Sequence, residues 1–207
     1  MSRRRFSWRA MLLAPAAIGA ATWFVTQVPQ DTAVDAPFEI GGAVGETVHL
    51  GYADLVVTDV RVAEQIAGDG VAQAGGVFVV VDAVWQASDR TIAVGGAELV
   101  DSRERVHAAT DRSGCATATT AVPAYRQRIS YCFDVPPDAL DGAQLRLGRG
   151  GDGEEGAFQR RDAVAVVGLG LGLDRVPGEE AGADAAPIEV HGPAPVVRTG
   201  TDGQEDA

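Results

Sequence analysis

The stretch Gly75–Ser88, GGVFVVVDAVWQAS, decides the fold. Between Val77 and Trp85 stand five Val, one Phe, one Ala and one Trp, interrupted only by Asp82. Branched and aromatic side chains suit a pleated surface, and here both alternating faces are apolar: Val79, Val81, Ala83 and Trp85 on one, Phe78, Val80 and Val84 on the other. Such a strand must be covered on both sides. We expect an inner strand of a β-sandwich.

Short runs with turn signals lie on either side. Glu46–Leu50 alternates, and Tyr52–Ala63 is a longer β-rich run. The Gly/Ala/Asp-rich stretch Glu64–Gly76 reads as a loop. Thr91–Val100 and Arg103–Ala108 read as strands. In Arg126–Val135, residues Ile129, Tyr131, Phe133 and Val135 share one face, Arg128, Ser130, Cys132 and Asp134 the other, and Pro136-Pro137 ends the run. Gln144–Leu147 is a short strand and Gly148–Gly156 a turn. In the last run, Asp162–Leu173, one face is Val167, Leu169, Leu171 and Leu173 and the other is Gly168, Gly170 and Gly172. No stretch within 43–173 keeps a helical period. Seven or eight short strands predict an all-β antiparallel sandwich over 43–173.

The N-terminus carries the most specific signal. Residues 1–9 hold four Arg and no acid, and residues 10–28 are uncharged and apolar. Nineteen residues span about 28 Å as a helix, close to the hydrocarbon core of a bilayer. Arg on the near side predicts a cytoplasmic N-terminus and an extracytoplasmic body. Ser2-Arg3-Arg4-Arg5-Phe6 resembles the twin-arginine export motif, with Ser7 where Leu is usual. Gly19-Ala20-Ala21 is a poor cleavage site, followed by Trp23-Phe24-Val25. An uncleaved single-pass membrane anchor is therefore expected, with secretion after cleavage as the alternative. Residues 29–42 read as a linker. Residues 174–207, with eight acids against two Arg and four Pro, read as a disordered acidic tail.

The net charge of −12 disfavours a phosphate backbone as partner, so no nucleic acid is expected. All 17 basic residues are Arg. Arg103 with Arg105, and Arg126 with Arg128, share strand faces by period two and could form a basic binding patch for a protein or an anionic envelope polymer, or simply a salt-bridged face. Cys115 and Cys132, 17 residues apart, are the only cysteines, and outside a membrane they predict a structural disulfide. They lack the Cys-x-x-Cys spacing of a redox pair.

His49, His107 and His191 have no metal-ligand spacing. Ser113, His107 and Asp111 lack a nucleophile elbow. Gly168-x-Gly170-x-Gly172 sits in a strand pattern and opens no phosphate-binding helix. The acidic groups Asp152/Glu154/Glu155 and Glu179/Glu180/Asp184 follow no EF-hand spacing. No catalytic residue, cofactor or metal is assigned on these grounds.

The order Gly45-Glu46-Thr47-Val48, Leu55–Val62, Gly76–Trp85, Glu98-Leu99-Val100-Asp101-Ser102 and Tyr131-Cys132-Phe133-Asp134-Val135-Pro136 resembles immunoglobulin-like domains described as telokin-like, over about residues 43–147. These occur on lipoproteins and membrane-anchored proteins of Gram-positive bacteria. The resemblance implies a fold and a location, and no catalytic residue. The expected function is a non-catalytic, membrane-anchored extracytoplasmic binding domain. The alternative is an exported enzyme or small-ligand or metal carrier with its site on the sandwich loops.

Overall fold

The computed structural model describes residue 23 and residues 36–150, 158–159, 161–175 and 186–196. The chain divides into two units, 1–36 and 37–207. Of the first, only Trp23, which is helical, and Ala36 are described, so the expected membrane segment 10–28 lies almost wholly outside the described residues. Among these, no helix is long and apolar enough to cross a membrane.

Thirteen strands make up the second unit, among the described residues: β1 Phe38–Ala43, β2 Thr47–His49, β3 Ala53–Ala67, β4 Val71–Ala87, β5 Ile92–Val94, β6 Gly96–Val100, β7 Val106–Ala108, β8 Thr119–Ala121, β9 Gln127–Val135, β10 Gln144–Gly148, β11 Ala163–Gly168, β12 Ile188–Glu189 and β13 Ala194–Pro195. One sheet has the order β1-β11-β10-β6-β7. The other runs β12-β3-β4-β9-β13, with β2 also on β3. A small third pair joins β5 to β8. The chain lays down the hairpin β3–β4 in one sheet, crosses for β6–β7, returns for β9 and crosses again for β10–β11. The fold is an all-β sandwich.

The two faces of β4 have separate burial partners. Val77, Val79, Val81, Ala83 and Trp85 enter the main core with Leu55, Leu99, Tyr131, Phe133, Leu145 and Leu147. Trp85 and Tyr131 are buried there with their polar tips satisfied, the indole N–H donating to the phenol oxygen at 3.1 Å. Burial pushes the Tyr131 hydroxyl pKa up. On the outer face, Phe78 and Val80 join Ile66, Cys115, Cys132 and Val190 in a second, smaller core. The loop around Cys115 and the strap 186–196 cover this core. The strap pairs with β3 through Ile188↔Ile66 and with β9 through Ala194↔Arg128.

Cys115 and Cys132 are bonded, with Cα atoms 5.8 Å apart, as expected. Cys132 sits on the face of β9 opposite Ile129, Tyr131 and Phe133, so the bond pins the loop onto the second core.

Several elements differ from their sequence reading. The stretch 64–76 is no loop: β3 and β4 run through it to a tight turn at Gly68–Gly70. Ile66 is fully buried there, and Ala72 and Ala74 alternate toward the second core. Glycine is needed at two places in this arm, since a Cβ on Gly68 would strike the Ser113 carbonyl and one on Gly76 the Val135 carbonyl. The sandwich is mixed rather than purely antiparallel, because β1 pairs in parallel with β11 and β12 with β3. Residues 38–42, assigned to the linker, belong to β1, while 29–35 lie outside the described residues. Residues 188–189 and 194–195, assigned to the acidic tail, form strands because Val190 and Ile188 find apolar neighbours on the second core. The run 91–100 is two strands in different sheets, and 103–108 holds a strand only at Val106–Ala108. β11 stops at Gly168, Gly170 takes φ +61°, and Leu173 is exposed.

The 17-residue separation sets the expected contribution of the disulfide at about 3 kcal/mol through the unfolded chain. Cys132→Ser should lower the unfolding free energy by a few kcal/mol in non-reducing urea titrations, and reduction of the wild type should match it. Unchanged midpoints would show that the bond carries no stability.

Candidate functional site

The outer face of the sheet β12-β3-β4-β9-β13 is apolar and covered along one half of β4 and open along the other. Asp82 stands at the border, 6% exposed. A buried carboxylate needs partners, and it has them. Ser130, directly opposite on β9, donates to its Oδ1 at 2.5 Å, and Arg61 on β3 donates to Oδ2 at 2.8 Å. Arg61 also reaches the Glu189 carbonyl at 3.3 Å, and the Ser130 hydroxyl accepts the His191 backbone N–H at 3.2 Å. The strap is thus held by the same cluster. Ser130 is fully buried and its proton is engaged, so this Asp–Ser–Arg group fastens the fold.

Beyond Asp82 the face opens into a groove of about 410 Å³. Val56 and Val84, neighbours in the β3–β4 ladder, form its floor. A polar row crosses it from β2 to the start of β9. His49 Nδ1 lies 2.7 Å from Asp54 Oδ1, Gln86 is opposite Asp54 on β4, and Arg126 completes the row just before β9. Adjacent strands are about 4.8 Å apart, which puts Asp54 and Arg126 about 10 Å from each other across two spacings. Alternation along β4 places Val84 and Gln86 on the same face as Asp82.

The four arginines of the expected patch are not brought together. Arg103 and Arg105 lie in the β6–β7 turn, where Glu104 takes φ +61°. Arg103 pairs with Asp138 at 2.5 Å, and Arg105 with Asp101 at 2.5 Å and Asp138 at 3.1 Å. Asp138 follows the C-terminal end of β9, whereas Arg126 and Arg128 are at its N-terminal end. The nine residues of β9 separate the pairs by roughly 25–30 Å. Arg126 and Arg128 are exposed, and their side chains have no acidic partner among the described residues. Half of the patch is a salt-bridged turn, and the other half borders the groove.

The remaining polar residues have structural partners. The Ser113 hydroxyl donates to the Ile66 and Gly70 carbonyls, and His107 faces Asp101 at 3.6 Å, so two members of the set Ser113, His107 and Asp111 have other commitments. Arg112 bridges Asp134 at 2.8 Å and the Gln73 carbonyl at 2.6 Å and stacks over Phe78. Tyr52 donates to the Ala163 carbonyl at 2.8 Å beneath Arg149; burial and then the Asp162 carboxylate push its hydroxyl up to about 12. Among the described residues, no group of three or more His, Cys, Asp or Glu could hold a metal ion. Sequence reasoning missed the groove because Asp54, Gln86 and Arg126 meet only through the strand register.

No protein-family model matches the chain. No curated protein matches it. Solved structures similar to it include the yjhA protein from Bacillus subtilis, at 14% identity and TM-score 0.47, covering 61% of this chain and 98% of that one. They also include an uncharacterized β-sandwich protein from Clostridium difficile 630, at 10% identity and TM-score 0.39, covering 64% of this chain and 95% of that one.

The turn holding Arg103 and Arg105 gives an acid-dependent stability term. Burial opposes the Asp101 charge, but the backbone N–H of Arg105, its guanidinium and the backbone N–H of Arg103 outweigh it and hold the pKa down to about 2 from an ordinary 3.8. A depressed acid stabilises the fold above its unfolded pKa, and that contribution disappears as pH falls through the folded one. In urea titrations, the stability gap between wild type and Asp101→Asn should be full above about pH 4 and shrink toward pH 2. A gap independent of pH over that range would refute the role of the charge.

Proposed function

We propose that this chain is a non-catalytic, extracytoplasmic binding domain of immunoglobulin-like architecture, held on a cell membrane by residues 10–28 and presenting the open face of β3–β4–β9 to a protein or envelope component. The observation that carries the location is the disulfide Cys115–Cys132, buried in the second core. Such bonds form and persist in oxidising compartments. The arginine-led apolar segment supplies the expected route there and the orientation.

Strand order supports the architecture. The set β3-β4-β9 facing β11-β10-β6-β7 corresponds to the strands A-B-E and G-F-C-C′ of immunoglobulin domains. The parallel β1–β11 pair adds an edge strand, and the disulfide links a loop to strand E rather than B to F. This supports the immunoglobulin-like fold that the resemblance to telokin-like domains implies. Binding is assigned to the groove because Arg126, which lines it, has no acidic partner among the described residues, whereas Arg61, Arg103, Arg105, Arg112, Arg146 and Arg149 are paired and Arg90, also without one, does not line it.

Protease added to intact spheroplasts should remove the chain beyond about residue 30 while the uncut protein fractionates with membranes. N-terminally trimmed, soluble protein in the medium would contradict the anchor. Free, alkylatable thiols on exported protein would contradict the compartment argument.

A further inference from the structure

The groove over Val56 and Val84 has opposite charges at its two ends. At the β2–β3 end, Asp54 is held by His49 through one oxygen, Oδ1, and among the described residues its other oxygen has no partner. At the β9 end, the Arg126 guanidinium has no acidic partner among the described residues, and Arg128 follows two residues later. Midway stands Gln86, whose amide nitrogen donates to the Pro123 carbonyl at 3.3 Å and whose carbonyl oxygen stays available as an acceptor. The backbone positions of Asp54 and Arg126 are about 10 Å apart, across two inter-strand spacings.

We infer that the groove is a subsite for a short zwitterionic peptide, of about three residues, lying across the strands with its ammonium group on Asp54 and its carboxylate on Arg126. An extended chain spans at most about 3.3–3.6 Å per residue, so three residues match the span from β3 to β9. The guanidinium fork suits a carboxylate. Gln86 can accept the N–H of the middle residue, and the valine floor receives small apolar side chains. Charge complementarity selects this ligand over a polyanion, since a zwitterion has no net repulsion from a chain of charge −12. This rests on the reading of the chain as a binding domain and names the ligand class of that site.

The test titrates trialanine into the isotopically labelled full chain in detergent micelles and follows amide shifts. Saturable shifts confined to Val56, Val84 and Gln86 are expected. Arg126→Gln should weaken binding about tenfold, the loss from one charge-assisted contact. Asp54→Asn should do likewise. N-acetyl-trialanine should bind weakly and be nearly indifferent to Asp54→Asn while still sensing Arg126→Gln, and trialanine amide should show the reverse pattern. These blocked peptides test the idea on wild-type protein even if a variant fails to fold. No saturable shift at about ten millimolar peptide, an affinity range corresponding to only a few kcal/mol, would overturn the proposal, as would equal binding of free and doubly blocked peptide. Hydrolysis of trialanine at the same amides would instead keep the subsite and overturn the non-catalytic reading.

Discussion

The two-sided burial of β4 is the constraint on which the rest of this structure depends. Its inner face needs the opposing sheet, and β6, β10 and β11 supply Leu99, Leu145, Leu147 and Val167. Its outer face carries Phe78 and Val80, both fully buried, and the small β5–β8 sheet packs on the main core rather than over them. The cover is assembled from irregular chain: a loop fixed by one disulfide, a strap fixed by two-residue ladders, and the alanines and Ile66 of the hairpin arm. Each piece buries little area, and ordering each costs conformational entropy. The disulfide reduces that cost by restricting the unfolded chain.

Asp82 marks where the cover ends. A lone carboxylate in the middle of an apolar strand looks like an error in the pattern, yet its partners Arg61 and Ser130 come from the two flanking strands and tie the strap to the sheet. On one side of this ion-paired border the face is covered by apolar chain, and on the other it opens as a groove with a polar row. The same strand therefore supplies the stability of the domain and the floor of its candidate site.

The sequence makes the inner strand, the facing of Ile129, Tyr131 and Phe133, and the cysteine pair legible, because each follows from alternation or from residue chemistry within a few positions. What it conceals depends on partners far along the chain. The arm 64–76 looks like a loop because its alanines and glycines carry little apolar signal, and only the cover over Ile66 makes it a strand pair. Residues 188–190 look like tail because a two-residue strand has no period, and Val190 earns its burial from Phe78 and Val80, more than 100 residues earlier. Arg103 and Arg105 read as a strand face, but Asp101 gathers their backbone N–H groups into a turn.

The central claim is that the outer face of β4 is a dry core before Asp82 and a wet groove after it. Valine-to-threonine exchange at one position on each side measures this directly, since it keeps the shape and adds a single hydroxyl. Val80→Thr should cost about 1–3 kcal/mol in urea unfolding, the penalty of a buried hydroxyl without a partner. Val84→Thr, facing the groove, should cost less than about 1 kcal/mol because water can satisfy its hydroxyl. Equal costs at the two positions would contradict the account.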